Sequence, residues 1–196
     1  MSAIDAKMVK ALRDKTGAGI MECKAALGES EGDEQKAIEI LRKKNLMKAQ
    51  EKAVREASEG VIGSYIHHNK KLGVLAVVNC ETDFVAKTDD FIGFASEIAQ
   101  HCAVLKPQYL KREDVPENVI EMEKEVYRAQ LKEEGKPEKI WDKIIEGKIN
   151  KFFSEVCLME QEFAFDEDIT VEQRQQQVFE KVKENIKISK FEIFEI

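Results

Sequence analysis

Two runs of β-branched and aromatic residues, 61–67 and 72–78, limit the possible folds of this chain most, because helical patterns surround them. Only residues 68–71 separate the two runs, so we predict an antiparallel hairpin. The second run is apolar throughout, which is typical of a central strand. The terminal stretch, 186–196, alternates apolar and polar residues but changes phase between Ile188 and Phe191. It predicts a third strand with a bulge.

Helical spacing of apolar residues dominates the rest of the chain. Three short segments precede the hairpin, with two glycines, Gly17 and Gly19, in the turn between the first two. Residues 1–55 are therefore predicted to form a three-helix module followed by a solvated helical linker from residue 48. A longer helix is predicted after the second strand, with an apolar face that the sequence repeats at Phe91, Ala95, Ile98, Cys102 and Leu105.

Prolines at 107, 116 and 137 mark the boundaries of two further helices. The first carries an apolar stripe of Val119, Met122, Val126 and Ala129, and the second carries one of Trp141, Ile145, Ile149, Phe152 and Val156. They are expected to fold back as a helical, coiled-coil-like hairpin over about 115–158, with part of the heavy aromatic stripe packing on the sheet or on another subunit. The fold class is α+β: a three-helix module, then a core at 56–196 with a three-stranded antiparallel sheet.

Charge argues against nucleic acid as the main partner. The chain of 196 residues has a net charge of −7, and residues 1–55 carry 12 Lys and Arg against 9 Asp and Glu. This small excess, spread over three helices, makes no basic stripe for a helix-turn-helix reader of DNA. No apolar run is long enough for a membrane helix and no secretory signal begins the chain, so a cytoplasmic protein that binds another protein is expected.

The sequence shows no motif for chemistry. It lacks a Gly-rich phosphate loop, an HExxH metal motif, a nucleophile elbow and paired cysteines. His67 and His68 are adjacent, so in a strand they point to opposite faces and do not share a metal. Cys23, Cys80, Cys102 and Cys157 are scattered in apolar contexts and are predicted to be buried free thiols. We expect no cofactor, no bound metal and no enzyme activity.

The junction after the second strand is the candidate working surface. Thr82 can cap a following helix with its hydroxyl, and Asp83 in the first turn suits the positive end of the helix dipole. Phe84 admits two interpretations, because an aromatic in a first turn either folds back into the core or projects as an anchor for a partner.

Two stretches, LRDKTGAGIMECKAAL at 12–27 and NCETDFVAK at 79–87, resemble the two signatures of bacterial elongation factor Ts. The resemblance extends through GVIGSYIH at 60–67, EGKP at 134–137 and the terminal strand. It implies a guanine nucleotide exchange factor that releases GDP from the GTPase elongation factor Tu in translation elongation.

The resemblance also implies contact residues. Thr82, Asp83, Phe84 and Val85 match the stretch that pushes into the GTPase near its magnesium site, which favours an exposed Phe84. Arg13, Gly17, Ile20 and Met21 are expected to hold its nucleotide domain, and His67, with the alternative of His68, matches a further contact.

The chain differs from the family pattern in two ways. Val77 stands where the family usually has glutamate, and this short chain carries one copy of the core that longer members contain twice, which favours a homodimer. The competing class is a ubiquitin-associated-like adaptor, because the first helices resemble that three-helix fold.

Overall fold

The computed structural model describes residues 5–52 and 56–196, and its first three helices pack around a hydrophobic cluster of their own. These helices are α1 (Ala6–Thr16), α2 (Ile20–Glu29) and α3 (Glu34–Lys52). Leu12, Cys23 and Leu27 are fully buried at the centre. Helix α1 ends where Gly17 takes a φ of 66°, a left-handed conformation that glycine adopts without strain. The three-helix prediction is confirmed, while residues 1–4 and 53–55, the latter within the predicted linker, lie outside the described part.

The sheet contains three antiparallel strands in the order β1 (Glu59–Ile66), β2 (Leu72–Cys80) and β5 (Lys187–Glu195). Strand β2 is central, as predicted. The predicted bulge is also confirmed: Val77 pairs with Lys190 but Val78 pairs with Ile188, so one residue of β5 is unpaired. The bulge keeps Ile188 buried beside Val78 despite the phase change in the sequence.

Helix α5 (Asp89–Leu105) covers one face of the sheet, and α8 (Val171–Val182) packs against α5, so that together they form the largest core. Val74, Ala76 and Val78 of β2 point into it. Helix α5 approaches the sheet so closely that a Cβ on Gly63 would lie 2.0 Å from the Ala95 carbonyl oxygen. The prediction that Leu105 belongs to the buried face is wrong, because it is the last residue of α5 and is 40% exposed beside the left-handed Lys106.

Helices α6 (Glu117–Glu133) and α7 (Trp141–Val156) form the predicted helical hairpin around a third cluster. The predicted stripe on α6 is right for Val119, which packs on this cluster, but wrong for Met122, Val126 and Ala129, which are exposed. Leu131 is buried instead, and Ile120 and Tyr127 pack beside it. Residues 120, 127 and 131, spaced by seven and four, form the face that meets α7. On α7, Phe153 rather than Phe152 is the buried aromatic. Its stripe packs against α6 and the segment containing Tyr109 and Val115 rather than on the sheet.

A two-stranded sheet, β3 (Glu162–Phe163) and β4 (Asp166–Thr170), connects the hairpin to α8. A capping box opens α8, since the Gln173 amide donates to the Thr170 hydroxyl at 3.2 Å and the Thr170 amide donates to Oε1 of Gln173 at 2.9 Å. The remaining short helix, α4 (Asp83–Ala86), follows β2 directly. All four cysteines are buried and free, as predicted. Over the described ranges, no helix combines the length and the apolar character needed to cross a membrane.

Candidate functional site

The candidate site is the turn between β2 and α4, where a buried strand becomes an exposed helix start. Cys80 is the last residue of β2 and is fully buried, and its thiol donates to the Thr82 carbonyl at 3.2 Å. Burial raises the pKa of this thiol, so it stays protonated and keeps that bond. Thr82 then caps α4 as predicted, because its hydroxyl oxygen accepts the Val85 amide at 3.4 Å. The turn is therefore fixed at its strand end and at its helix end.

Phe84 is 78% exposed, whereas the next two residues, Val85 and Ala86, are each only 6% exposed and belong to the main core. Two adjacent core residues fix the rotation of α4 and direct the preceding two outward. The core interpretation of Phe84 is therefore wrong, because its ring lies on the surface. The structure also shows that the side chain of Val85, one of the expected contacts, is used for internal packing.

Asp83 lies beside Phe84 and pairs with Lys87, whose ammonium donates to Oδ2 of Asp83 at 2.7 Å. This hydrogen bond holds the pKa of the Asp83 carboxyl below its usual range and raises that of the Lys87 ammonium. The site therefore presents an ionised carboxylate beside a large exposed aromatic ring. Lys87 was not predicted, although its spacing of four residues from Asp83 is the spacing that pairs opposite charges on a helix.

A second exposed apolar surface lies on the helical module. Ile20 and Met21 occupy the first turn of α2 and are 55% and 74% exposed. Gly17 lies just before them, and Arg13 is an exposed residue of α1 whose carbonyl accepts the Gly17 amide at 2.8 Å. The tight turn between α1 and α2 thus brings all four predicted residues to neighbouring positions on one module.

His67 does not join the Asp83 and Phe84 surface. It follows β1 at the hairpin turn, opposite Leu72, whereas Cys80 and Phe84 lie at the other end of β2. Nine residues of β2 separate these ends by roughly 26 Å. His67 is half-buried with its Nδ1 2.9 Å from the Tyr65 hydroxyl, while His68 is exposed against its ring.

The described residues show no candidate metal site. Within 5–52 and 56–196, no three His, Cys, Asp or Glu side chains cluster in a way that could hold a metal ion. Asp90, near the site, forms an ion pair with Lys181 at 3.1 Å.

Taken together, the α+β fold and the two exposed apolar surfaces are typical of a protein that binds another protein. A sequence model described as Elongation factor TS matches residues 6–196. Elongation factor Ts of Thermosipho melanesiensis is 58% identical to this chain, over 98% of both chains. Elongation factor Ts of Carboxydothermus hydrogenoformans is 53% identical over 98% of this chain and 89% of its own length. Elongation factor Ts of Thermotoga neapolitana is 51% identical over 96% of this chain and 95% of its own length. The chain belongs to the elongation factor Ts family.

Membership of this family makes the chain a guanine nucleotide exchange factor for elongation factor Tu, which acts in translation elongation. The adaptor alternative is not favoured, because the match continues through the sheet and the helical hairpin and does not stop at the three-helix module.

Proposed function

We propose that Asp83 and Phe84 insert into elongation factor Tu near its magnesium and nucleotide site and so release GDP. The observation that carries this proposal is the 78% exposure of Phe84 on a helix whose Val85 and Ala86 are held in the core. A factor that binds the nucleotide-free GTPase more tightly than its GDP form must weaken GDP binding by the same ratio, because the coupling is reciprocal. A rigidly held aromatic supplies such differential binding if only the nucleotide-free form opens a pocket for it.

The energetics require a second contact. Accelerating GDP release by about 10⁴ takes about 5.5 kcal/mol of differential interaction. Burying one Phe side chain contributes about 1.5–3 kcal/mol. We propose that the remainder comes from the surface of Arg13, Gly17, Ile20 and Met21, which holds the nucleotide domain, with His67 as a further contact at the far end of the sheet.

Asp83 has a distinct role in this proposal. Its carboxylate remains ionised beside Lys87, and the pair is exposed, so it meets the partner as a charged group. An anion brought towards a magnesium site disturbs the balance of charge that holds the metal and the GDP phosphates. Thr82 and the backbone of Val85 complete the inserted turn.

We also propose a homodimer formed through the outer face of the sheet. Four large apolar side chains are exposed on this face: Ile62, Ile66, Leu75 and Phe194. Val77 lies between Ile62 and Lys190 in the same layer, so the replacement of the usual glutamate by valine makes the face more apolar. A sheet face with this many exposed apolar side chains is typical of a surface that another subunit covers, although it also carries the ion pair of Lys190 with Glu192.

A division at about residue 55 is part of the proposal. The separate clusters of α1–α3 and of the sheet support a module with its linker at 1–55 and a dimerisation core at 56–196, from which the hairpin at about 115–158 projects. We propose further that the chain works in the cytoplasm by binding alone, without a catalysed reaction, and that neither nucleic acid nor membrane is its partner. The net charge of −7 supports a protein partner.

Stopped-flow release of a fluorescent GDP analogue from elongation factor Tu tests the insertion. Phe84→Ala is expected to keep the fold and to slow release about 100-fold, which corresponds to about 2.7 kcal/mol. Phe165→Ala is the matched control, because Phe165 is also an exposed Phe, at 55%, but lies between β3 and β4. Release at the unmodified rate with Phe84→Ala would sink the proposal.

A further inference from the structure

Helix α4 is too short to hold the candidate site in position by itself. It spans four residues, Asp83–Ala86, and its own hydrogen bonds include Ala86 N–H to the Thr82 carbonyl at 3.2 Å and Lys87 N–H to the Phe84 carbonyl at 3.3 Å. A single helical turn is not stable in isolation, because fixing its dihedral angles yields few hydrogen bonds. Core packing of Val85 and Ala86 fixes the rotation of α4, and its amino-terminal end at Thr82 is held by a contact from a distant part of the chain.

Glu184, 102 residues further along the chain, accepts hydrogen bonds from Thr82 with both of its carboxylate oxygens. The Thr82 amide donates to Oε2 at 3.1 Å and the Thr82 hydroxyl donates to Oε1 at 2.8 Å. The hydroxyl has only one proton, and its oxygen also accepts the Val85 amide. Glu184 therefore fixes the rotamer in which Thr82 caps α4.

The segment that carries Glu184 is itself held firmly. Lys183 ends α8 with a φ of 61°, and its amide donates to the Phe179 carbonyl at 2.8 Å. Ile186 on the other side is buried. A second bond runs the opposite way, since the Asn185 amide donates to Oε1 of Glu81 at 2.7 Å. Carboxylates at 81 and 184 thus each bind the backbone of the other segment.

We propose that Glu184 is a positioning residue for nucleotide exchange, which fixes the Thr82 cap so that Phe84 is presented in its inserting orientation. This rests on the proposed function of Phe84. Glu184 acts through Thr82, and its carboxylate is occupied by that residue. Losing it frees the cap and lets the first turn of α4 sample other conformations, so a smaller fraction of complexes has Phe84 correctly aimed.

The test compares exchange by Glu184→Ala, Glu184→Gln and Phe84→Ala. Losing two charge-assisted hydrogen bonds should lower the saturating rate of GDP release about tenfold for Glu184→Ala. The concentration at half-saturation should change less than about twofold, since the surface on α1 and α2 still binds. Glu184→Gln keeps one carbonyl oxygen to accept a bond from Thr82, so we expect a partial rescue. Glu172→Gln removes the same charge at the opposite end of α8 and is expected to exchange normally.

Coupling to Phe84 separates positioning from general damage. The double variant Phe84→Ala with Glu184→Ala should release GDP no more slowly than Phe84→Ala alone. A further full tenfold loss in the double variant would overturn the proposal. If Phe84→Ala is slow but Glu184→Ala is normal, positioning fails while insertion stands. If Phe84→Ala itself is normal, the proposed function fails.

Amide hydrogen exchange of the free protein gives a readout that needs no partner. We expect the Thr82 and Val85 amides to lose protection in Glu184→Ala, while amides in the middle of β2 keep theirs. Equal amide protection in the parent protein and in Glu184→Ala would overturn the positioning role, whatever the rates of GDP release. If Glu184→Ala does not fold, Glu184→Gln carries the same comparison.

Discussion

Adding one methyl group at Gly63 should destabilise this protein strongly, because β1 and α5 leave no room for it. A Cβ at this position would lie 2.0 Å from the Ala95 carbonyl oxygen and 2.4 Å from its carbonyl carbon, whereas real Cβ contacts below 3.0 Å essentially never occur. The added Cβ would meet backbone atoms, which cannot rotate away as a side chain can. Strand β1 or helix α5 must therefore move by at least about 1 Å. A gap of this size forfeits a quarter to a half of each dispersion contact along the opened interface.

Helix α5 carries eight buried residues, so the opened interface is extensive. Overpacking usually costs about 1–3 kcal/mol and more where nothing yields, so we expect about 3 kcal/mol for Gly63→Ala. Gly93→Ala is the matched control, because Gly93 lies on the exposed side of α5 and a Cβ there meets nothing within 4 Å. It should stabilise by about 0.5–1 kcal/mol through the better helix propensity of alanine.

Urea unfolding followed by circular dichroism measures both changes. We expect opposite signs for the two glycine substitutions, and a thermal midpoint lower by about 6–12 °C for Gly63→Ala. Equal stabilities for the two variants would refute the close approach of α5 to the sheet.

Two further outcomes follow from buried groups and from the outer face of the sheet. Burial lowers the pKa of His101, whose Nδ1 accepts the Ala164 amide and whose Nε2 donates to Gln161, so the folded state holds the ring neutral. The contribution of His101 to the free energy of unfolding is therefore full above about pH 6.5 and falls by up to about 1.4 kcal/mol per pH unit below it. Urea titrations should show the stability gap between the parent and His101→Gln narrowing from pH 7.5 to 5.5, and a constant gap would contradict this. Light scattering at about 10 μM should give a dimer mass for the parent protein and a monomer mass for Phe194→Glu, because a buried charge without a partner opposes association. A monomer mass for the parent protein would count against the sheet-face dimer.

Elements that depend on neighbouring residues could be predicted from the sequence. The Thr82 cap, the capping box of Thr170 and Gln173, and the bulge before Phe191 all follow from side chains a few residues apart. The helical hairpin was predicted correctly as an element, but the buried face of α6 was not. Both faces of α6 carry apolar residues at helical spacing, and only the position of α7 decides which of them is covered.

Contacts between distant segments could not be predicted in the same way. Glu184 follows a helix end in an ordinary polar sequence, and no local pattern links it to Thr82 across 102 residues. The exposed sheet face was missed for a related reason. Ile62, Ile66 and Leu75 have the apolar character expected of core residues, and the sequence does not show that only one face of the sheet is covered by helices.

The orientation of Phe84 could have been derived from its neighbours, although its residue type favours burial. Residues of an α-helix are separated by 100° about its axis, so Asp83 and Phe84 point on average about 200° away from Val85 and Ala86. One such pair faces the core and the other faces solvent. A carboxylate beside Phe84 makes burial of the first pair expensive, whereas valine and alanine are easily buried. The arrangement in the structure is therefore the one that the four residues of α4 favour, and the exposed Phe84 is a consequence of its neighbours that partner binding can use.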